Sequence, residues 1–127
     1  MGKRFSANLI PGDVVGLTGE LGAGKTVFVQ GIAEGLGVRA RVNSPTFIIL
    51  RNYDNARDAN ALIHVDLYRL EENLKNEITN LGLFDIIMAR ESVVVIEWAE
   101  RIKDLLPDAT KWVNLEQTEN GRRITIQ

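Results

Sequence analysis

The chain has no cysteine and one histidine. That excludes a disulfide framework, thiolate zinc sites and thiol nucleophiles, and it agrees with a reducing compartment, so the cytoplasm is the expected location. A basic excess is also missing. With a net charge of −2 and a pI near 5.4, the chain does not attract nucleic acid through its overall field, and any contact with nucleic acid must be local or indirect. No apolar run approaches the roughly 20 residues that span a bilayer. The segment Met1 to Pro11 carries two basic residues but no apolar core of a secretory leader, so neither export nor a membrane partner is expected. Repeats and low-complexity tracts are absent too. What remains, 127 residues with 45% hydrophobic and 25% charged side chains, suits one domain over 1–127 with one core and no need of a structural metal.

The order of local patterns indicates strands alternating with helices. Pro11-Gly12 marks a turn before the short apolar strand Asp13 to Thr18. From Thr26 the spacing becomes helical, with Phe28, Ile32 and Leu36 four apart, and Gly35 and Gly37 supply stop signals. Val42 to Pro45 reads as a loop, Phe47 to Tyr53 as a strand, the polar stretch Asp54 to Asn60 as an exposed turn, and Ala61 to Asp66 as a partner strand. Leu70, Leu74, Ile78 and Leu81 recur on one face of an amphipathic helix, and Leu83 to Ala89 forms a short second one. Ser92 to Ile96 is β-branched without alternation, as a central parallel strand covered on both faces requires, and it ends in Glu97-Trp98. A helix is expected from Ala99 to Leu106, stopping before Pro107. Lys111 to Gln117 and Arg122 to Ile126 flank an Asn120-Gly121 hairpin signal. The fold class is α/β, with a mostly parallel sheet in three layers and an antiparallel carboxyl-terminal hairpin.

Between the first strand and first helix lies Gly19-Glu20-Leu21-Gly22-Ala23-Gly24-Lys25-Thr26, which satisfies G-x-x-x-x-G-K-S/T in full. Glycines let the backbone curl so that successive N–H groups converge on phosphate oxygens at the positive end of a helix. Leu21, Gly22, Ala23 and Gly24 supply that cradle, Lys25 a cation for the β- and γ-phosphates, and the Thr26 hydroxyl a ligand for the bridging magnesium ion. This implies a phosphate-loop (P-loop) NTPase domain that binds a nucleoside triphosphate with Mg2+.

Such a site also needs a carboxylate at a neighbouring strand end, to hold the metal through its water shell or to orient the attacking water. Asp66 and Glu97 both close apolar strands, and the pattern leaves open which of them touches the metal. His64, two residues before Asp66, reads as a structural histidine that orients the strand end.

Four segments now stand together: GELGAGKT at 19–26, NSPTF at 43–47, HVDLYR at 64–69 and IEWAER at 96–101. From about Pro11 to its end the chain resembles the TsaE (YjeE) family, the small bacterial ATPase component of the machinery that makes threonylcarbamoyladenosine on tRNA beside the anticodon. The resemblance implies ATP and Mg2+ as cofactors, TsaB- and TsaD-type proteins as partners, and tRNA contact only through that complex. It also implies that Lys25, Asp66 and Glu97 are catalytic, with Thr26, Asp66 and Glu97 in the metal and water shell. Ser44 and Thr46 would lie in a switch-like loop near the γ-phosphate and Trp98 near the nucleotide, while Tyr68 and Arg69 would touch a partner or pin the following helix. Family members begin with a further strand or helix, so a shortened amino end is expected.

Hydrolysis is expected to be slow in the isolated chain, because no arginine finger is evident. Two rival readings are a module that binds nucleotide as a switch without hydrolysing it, and a small-molecule kinase, for which no lid-length insertion is present.

Overall fold

The computed structural model describes residues 2–19, 24–38, 50–54, 61–67, 74–118 and 121–126. In chain order the elements are helix α1 (Gly2–Ser6), strand β1 (Val14–Thr18), helix α2 (Lys25–Gly35), strands β2 (Leu50–Asp54) and β3 (Ala61–Asp66), helices α3 (Leu74–Asn80) and α4 (Leu83–Ala89), strand β4 (Val93–Glu97), a 3-10 segment (Ala99–Leu105), and strands β5 (Lys111–Thr118) and β6 (Gly121–Ile126). α1 is the one element that the sequence pattern does not announce. It is too short for periodicity to register or for intrinsic stability, and tertiary packing holds it: the Phe5 ring lies 5.6 Å from that of Phe28 on α2.

Among the described residues the strands form one sheet in the order β2-β3-β4-β1-β5-β6. β3, β4, β1 and β5 run parallel. β6 extends the sheet antiparallel beside β5, and a second antiparallel edge, β2 against β3, faces the other way.

The unbroken apolar run in β4 is explained by cover on both faces. Val93 and Val95 join Val15, Leu17 and Leu62 under Phe28, Val29 and Ile32 of α2 and Leu36 at its end. Val94 and Ile96 join Val14, Ile63 and Val65 against Ile78, Leu83 and Ile87 of α3 and α4, with Ala99 and Ile102. Each such side chain contributes about 1.5–3 kcal/mol on burial, so the helical layers are held mainly by these two apolar seams.

The connections decide where a ligand belongs. From β1 the chain passes by way of α2 to the β2–β3 side, whereas from β4 it passes by way of the 3-10 segment to β5 on the other side of β1. β1 and β4 are neighbours whose chains leave in opposite directions, and in sheets of this kind ligands bind outside the carboxyl ends of the strands at such a point.

Two local expectations are corrected. Residues 99–105 form 3-10 turns with a break at Ile102 (φ −129°, ψ 26°) instead of an α-helix. Ala99 and Ile102, buried three residues apart, match the 3-10 period, and the break then brings Leu106 inward. Leu81 lies beyond the end of α3 and is exposed, while Ile78 carries the inward face of that helix. Leu70, at the start of the expected helix, lies outside the described residues, as do residues 42–45 and 55–60.

Candidate functional site

Strand alternation brings the site together. In β3 Ala61, Ile63 and Val65 face α3 and α4 and Leu62 faces α2, so the period of two puts His64 and Asp66 on the α2 side. In β4 the same rule puts Glu97 on that side with Val93 and Val95. The parallel register sets Asp66 opposite Glu97, and Glu97 opposite Leu17 of β1. Two carboxylates thus sit side by side at the carboxyl edge, next to the strand that enters the glycine-rich loop.

Lys25 opens α2 directly above them. Gly24 caps the helix in the left-handed region (φ 91°, ψ 21°), which a glycine adopts without a Cβ penalty, and its carbonyl accepts the Phe28 N–H at 3.0 Å. Lys25 is only 5% exposed. Its Nζ donates to the Gly19 carbonyl at 2.6 Å and lies 3.3 Å from the centre of the Trp98 ring, so the lysine ties the two ends of the loop together over an aromatic face. Burial pushes the Lys25 pKa below the ordinary lysine value, against the opposing pull of Glu97, Glu100 and Asp66. Gly19 must be glycine for a second reason than curvature. At φ +134° a Cβ there would stand 2.2 Å from the Leu115 carbonyl oxygen of β5.

Glu97 is 3% exposed and His64 fully buried, and His64 Nε2 lies 2.5 Å from Glu97 Oε2. Beyond β4 the chain turns at Trp98 in the left-handed conformation (φ 62°, ψ 34°), uncommon for a bulky residue, and this aims the ring back under Lys25. Arg101 Nη1 then donates to the Leu67 carbonyl at 2.5 Å, bracing the 3-10 segment against the end of β3. On the other side of β1 the edge is different. Thr18 donates to Asn114 of β5 at 2.8 Å, and Asn114 in turn to Glu116, so side chains there pair among themselves beside a cleft of about 360 Å3.

The donor chemistry fits a magnesium ion held together with phosphate. Among the described residues no group of three or more His, Cys, Asp or Glu could cage a metal, whereas Mg2+ characteristically takes one or two carboxylates and completes its shell with water and phosphate oxygens. Asp66, Glu97 and the Thr26 hydroxyl, on the second residue of α2, are the oxygens that would hold it.

Residues 1–124 match the family described as "Threonylcarbamoyl adenosine biosynthesis protein TsaE". The chain belongs to the TsaE family. Relatives named "tRNA threonylcarbamoyladenosine biosynthesis protein TsaE" include that of Streptomyces coelicolor, 46% identical over 109 residues that cover 85% of this chain and 72% of the relative. That of Bacillus subtilis is 41% identical over 125 residues, covering 98% and 75%. A solved structure titled "Crystal structure of Bacillus subtilus YdiB" superposes with a TM-score of 0.78 at 33% identity, covering 98% of this chain and 74% of that one. The TsaE family is one of tRNA threonylcarbamoyladenosine biosynthesis.

In this TsaE-family chain the fold brings together Gly24, Lys25, Thr26, Asp66, Glu97 and Trp98 from the motifs read in the sequence. Leu21, Gly22 and Ala23 of the loop, Ser44 and Thr46, and Tyr68 and Arg69 lie outside the described residues. The pairing of His64 with Glu97 is the feature that sequence reading missed. The alternation of β3 gives the face of His64, but the register that sets Glu97 beside it belongs to the pairing of two strands distant in sequence.

Proposed function

We propose that this chain is a phosphate-loop ATPase of the cytoplasm that binds ATP with Mg2+ and hydrolyses it slowly by itself. It would serve as the ATPase component beside TsaB- and TsaD-type proteins, meeting tRNA only through that complex. One observation carries the reading: a buried lysine at the first residue of the helix after the glycine-rich loop faces two carboxylates held in register at the ends of adjacent parallel strands.

The chain's own groups divide the work. The amino end of α2 and the loop amides bind the phosphates, and Lys25 exchanges the Gly19 carbonyl for oxygens of the β- and γ-phosphates, where its charge offsets the charge that builds up on transfer. Thr26, Asp66 and Glu97 would hold Mg2+, which would supply further neutralisation of the phosphate charge. Of Asp66 and Glu97, one would help to hold the metal, and the other would accept a hydrogen bond from the attacking water and orient it. Trp98 gives the lysine an apolar, polarisable floor that keeps bulk water from its ammonium.

The test is Mg2+-dependent release of phosphate from ATP and GTP by the purified chain, alone and with TsaB- and TsaD-type proteins. Slow hydrolysis that prefers ATP and rises with the partners is expected. Nucleotide bound but left intact in both settings would make the chain a nucleotide-switch module instead.

A further inference from the structure

Within that reading, we infer that His64 is a positioning residue: through the hydrogen bond from Nε2 it fixes the Glu97 carboxylate in the orientation that the site uses. A glutamate at a strand end has several rotamers open to it, and a carboxylate that must hold a water or a metal's hydration shell in line loses effectiveness when it swings among them. Here one oxygen, Oε2, is taken by His64 at 2.5 Å, and both side chains are buried. The two residues belong to adjacent parallel strands, His64 opposite Val95 and Glu97 two positions on, so strand pairing itself sets the donor beside the acceptor.

The other ring nitrogen marks this histidine as more than a filler of the core. His64 Nδ1 is buried and has no hydrogen-bond partner among the described residues. A carboxylate accepts only, so a ring proton belongs on Nε2, and Nδ1 is left buried without a partner among the described residues, an arrangement that costs stability. A leucine would fill the same space without that cost. The expense is explained if the Nε2–H is there for Glu97, as the outer partners of metal-site ligands commonly are.

The chain has one histidine, so its imidazole nitrogens give a single, unambiguous set of signals in 15N-labelled protein. Long-range 1H–15N correlation is expected to show Nε2 protonated, with the Nε2 signal displaced in Glu97→Gln. A bare Nε2, or an Nε2 signal indifferent to Glu97→Gln, would overturn the proposal. In hydrolysis assays with the partner proteins, His64→Leu should lower kcat roughly 10- to 100-fold while KM for ATP changes less than about twofold, and His64→Gln, whose amide can also donate, should recover part of the loss. A folded His64→Leu variant with undiminished kcat, or equal losses in the Leu and Gln variants, would contradict it. No hydrolysis by the wild-type chain under any condition would remove the ATPase reading, and the nitrogen spectrum would then decide the His64–Glu97 assignment by itself.

Discussion

Under α2, the sheet buries Lys25, His64 and Glu97 among valine, leucine, isoleucine and phenylalanine; under α3 and α4, the cluster built on Ile63, Val65, Val94 and Ile96 contains no buried charge among the described residues. Both faces are equally dry, so exposure does not explain the difference. Burying an ionised group is unfavourable unless it is paired, and on the α2 face the lysine has a carbonyl, an indole face and nearby acids, and the glutamate has a histidine. On the proposed function, one face serves chemistry at some expense of stability, and the other serves stability alone. Substitutions on the two faces should accordingly separate into different measurements.

The largest separation is expected for Lys25→Ala, which should lower ATP turnover roughly 10²–10³-fold, the scale of losing one preorganised partner of a developing negative charge, while the protein stays folded by circular dichroism. Its opposite is Leu83→Ala on the α4 side, a fully buried residue in the cluster on the other face of the sheet. This should reduce the unfolding free energy in urea by about 2–5 kcal/mol and leave turnover per folded molecule unchanged. If Leu83→Ala lowered turnover in folded protein, or Lys25→Ala left it intact, the division between the faces would fail.

A smaller effect is expected where the two functions meet in β1. A Cβ on Gly16 would stand 2.7 Å from the Trp112 ring, so Gly16→Ala should cost about 1–3 kcal/mol of stability through overpacking. In a double-mutant cycle Trp112→Leu should relieve part of that loss, and strict additivity would show that the close approach of ring and strand is not its cause.

The smallest effect is one of pH. Because burial lowers the pKa of Lys25, the unfolded chain binds more protons than the folded one between that lowered value and the ordinary 10.5. The stability of wild type relative to Lys25→Met should therefore rise with pH through that interval and be flat below it. A relative stability that fell with rising pH would mean that the neighbouring acids outweigh desolvation at this lysine.

Much of this was legible in the residues, for reasons that the elements themselves supply. β3 and α4 carry their boundaries in the sequence: Ala61 to Asp66 follows the polar stretch 54–60 and ends in an acid, and Leu83 to Ala89 follows a glycine that adopts φ 79° as its cap. The glycine-rich motif, with a strand before it and a helix after it, located Lys25, and the two apolar strands ending in acids located Asp66 and Glu97. What was not legible depends on contacts between distant segments. α1 exists because Phe5 finds Phe28, and residues 99–105 take 3-10 turns because Ala99 and Ile102 must both be buried, information that local propensity does not contain. His64 and Glu97 are 33 residues apart, and only the register of β3 on β4 makes them neighbours.

The central claim is that Asp66 and Glu97 complete a magnesium–triphosphate site with Lys25. Equilibrium binding of a non-hydrolysable ATP analogue, measured calorimetrically with and without Mg2+ for wild type and for the Asp66→Asn/Glu97→Gln double variant, tests it most directly. Mg2+ is expected to tighten binding to wild type, and this gain is expected to disappear in the folded double variant. An equal effect of Mg2+ on both proteins would contradict it.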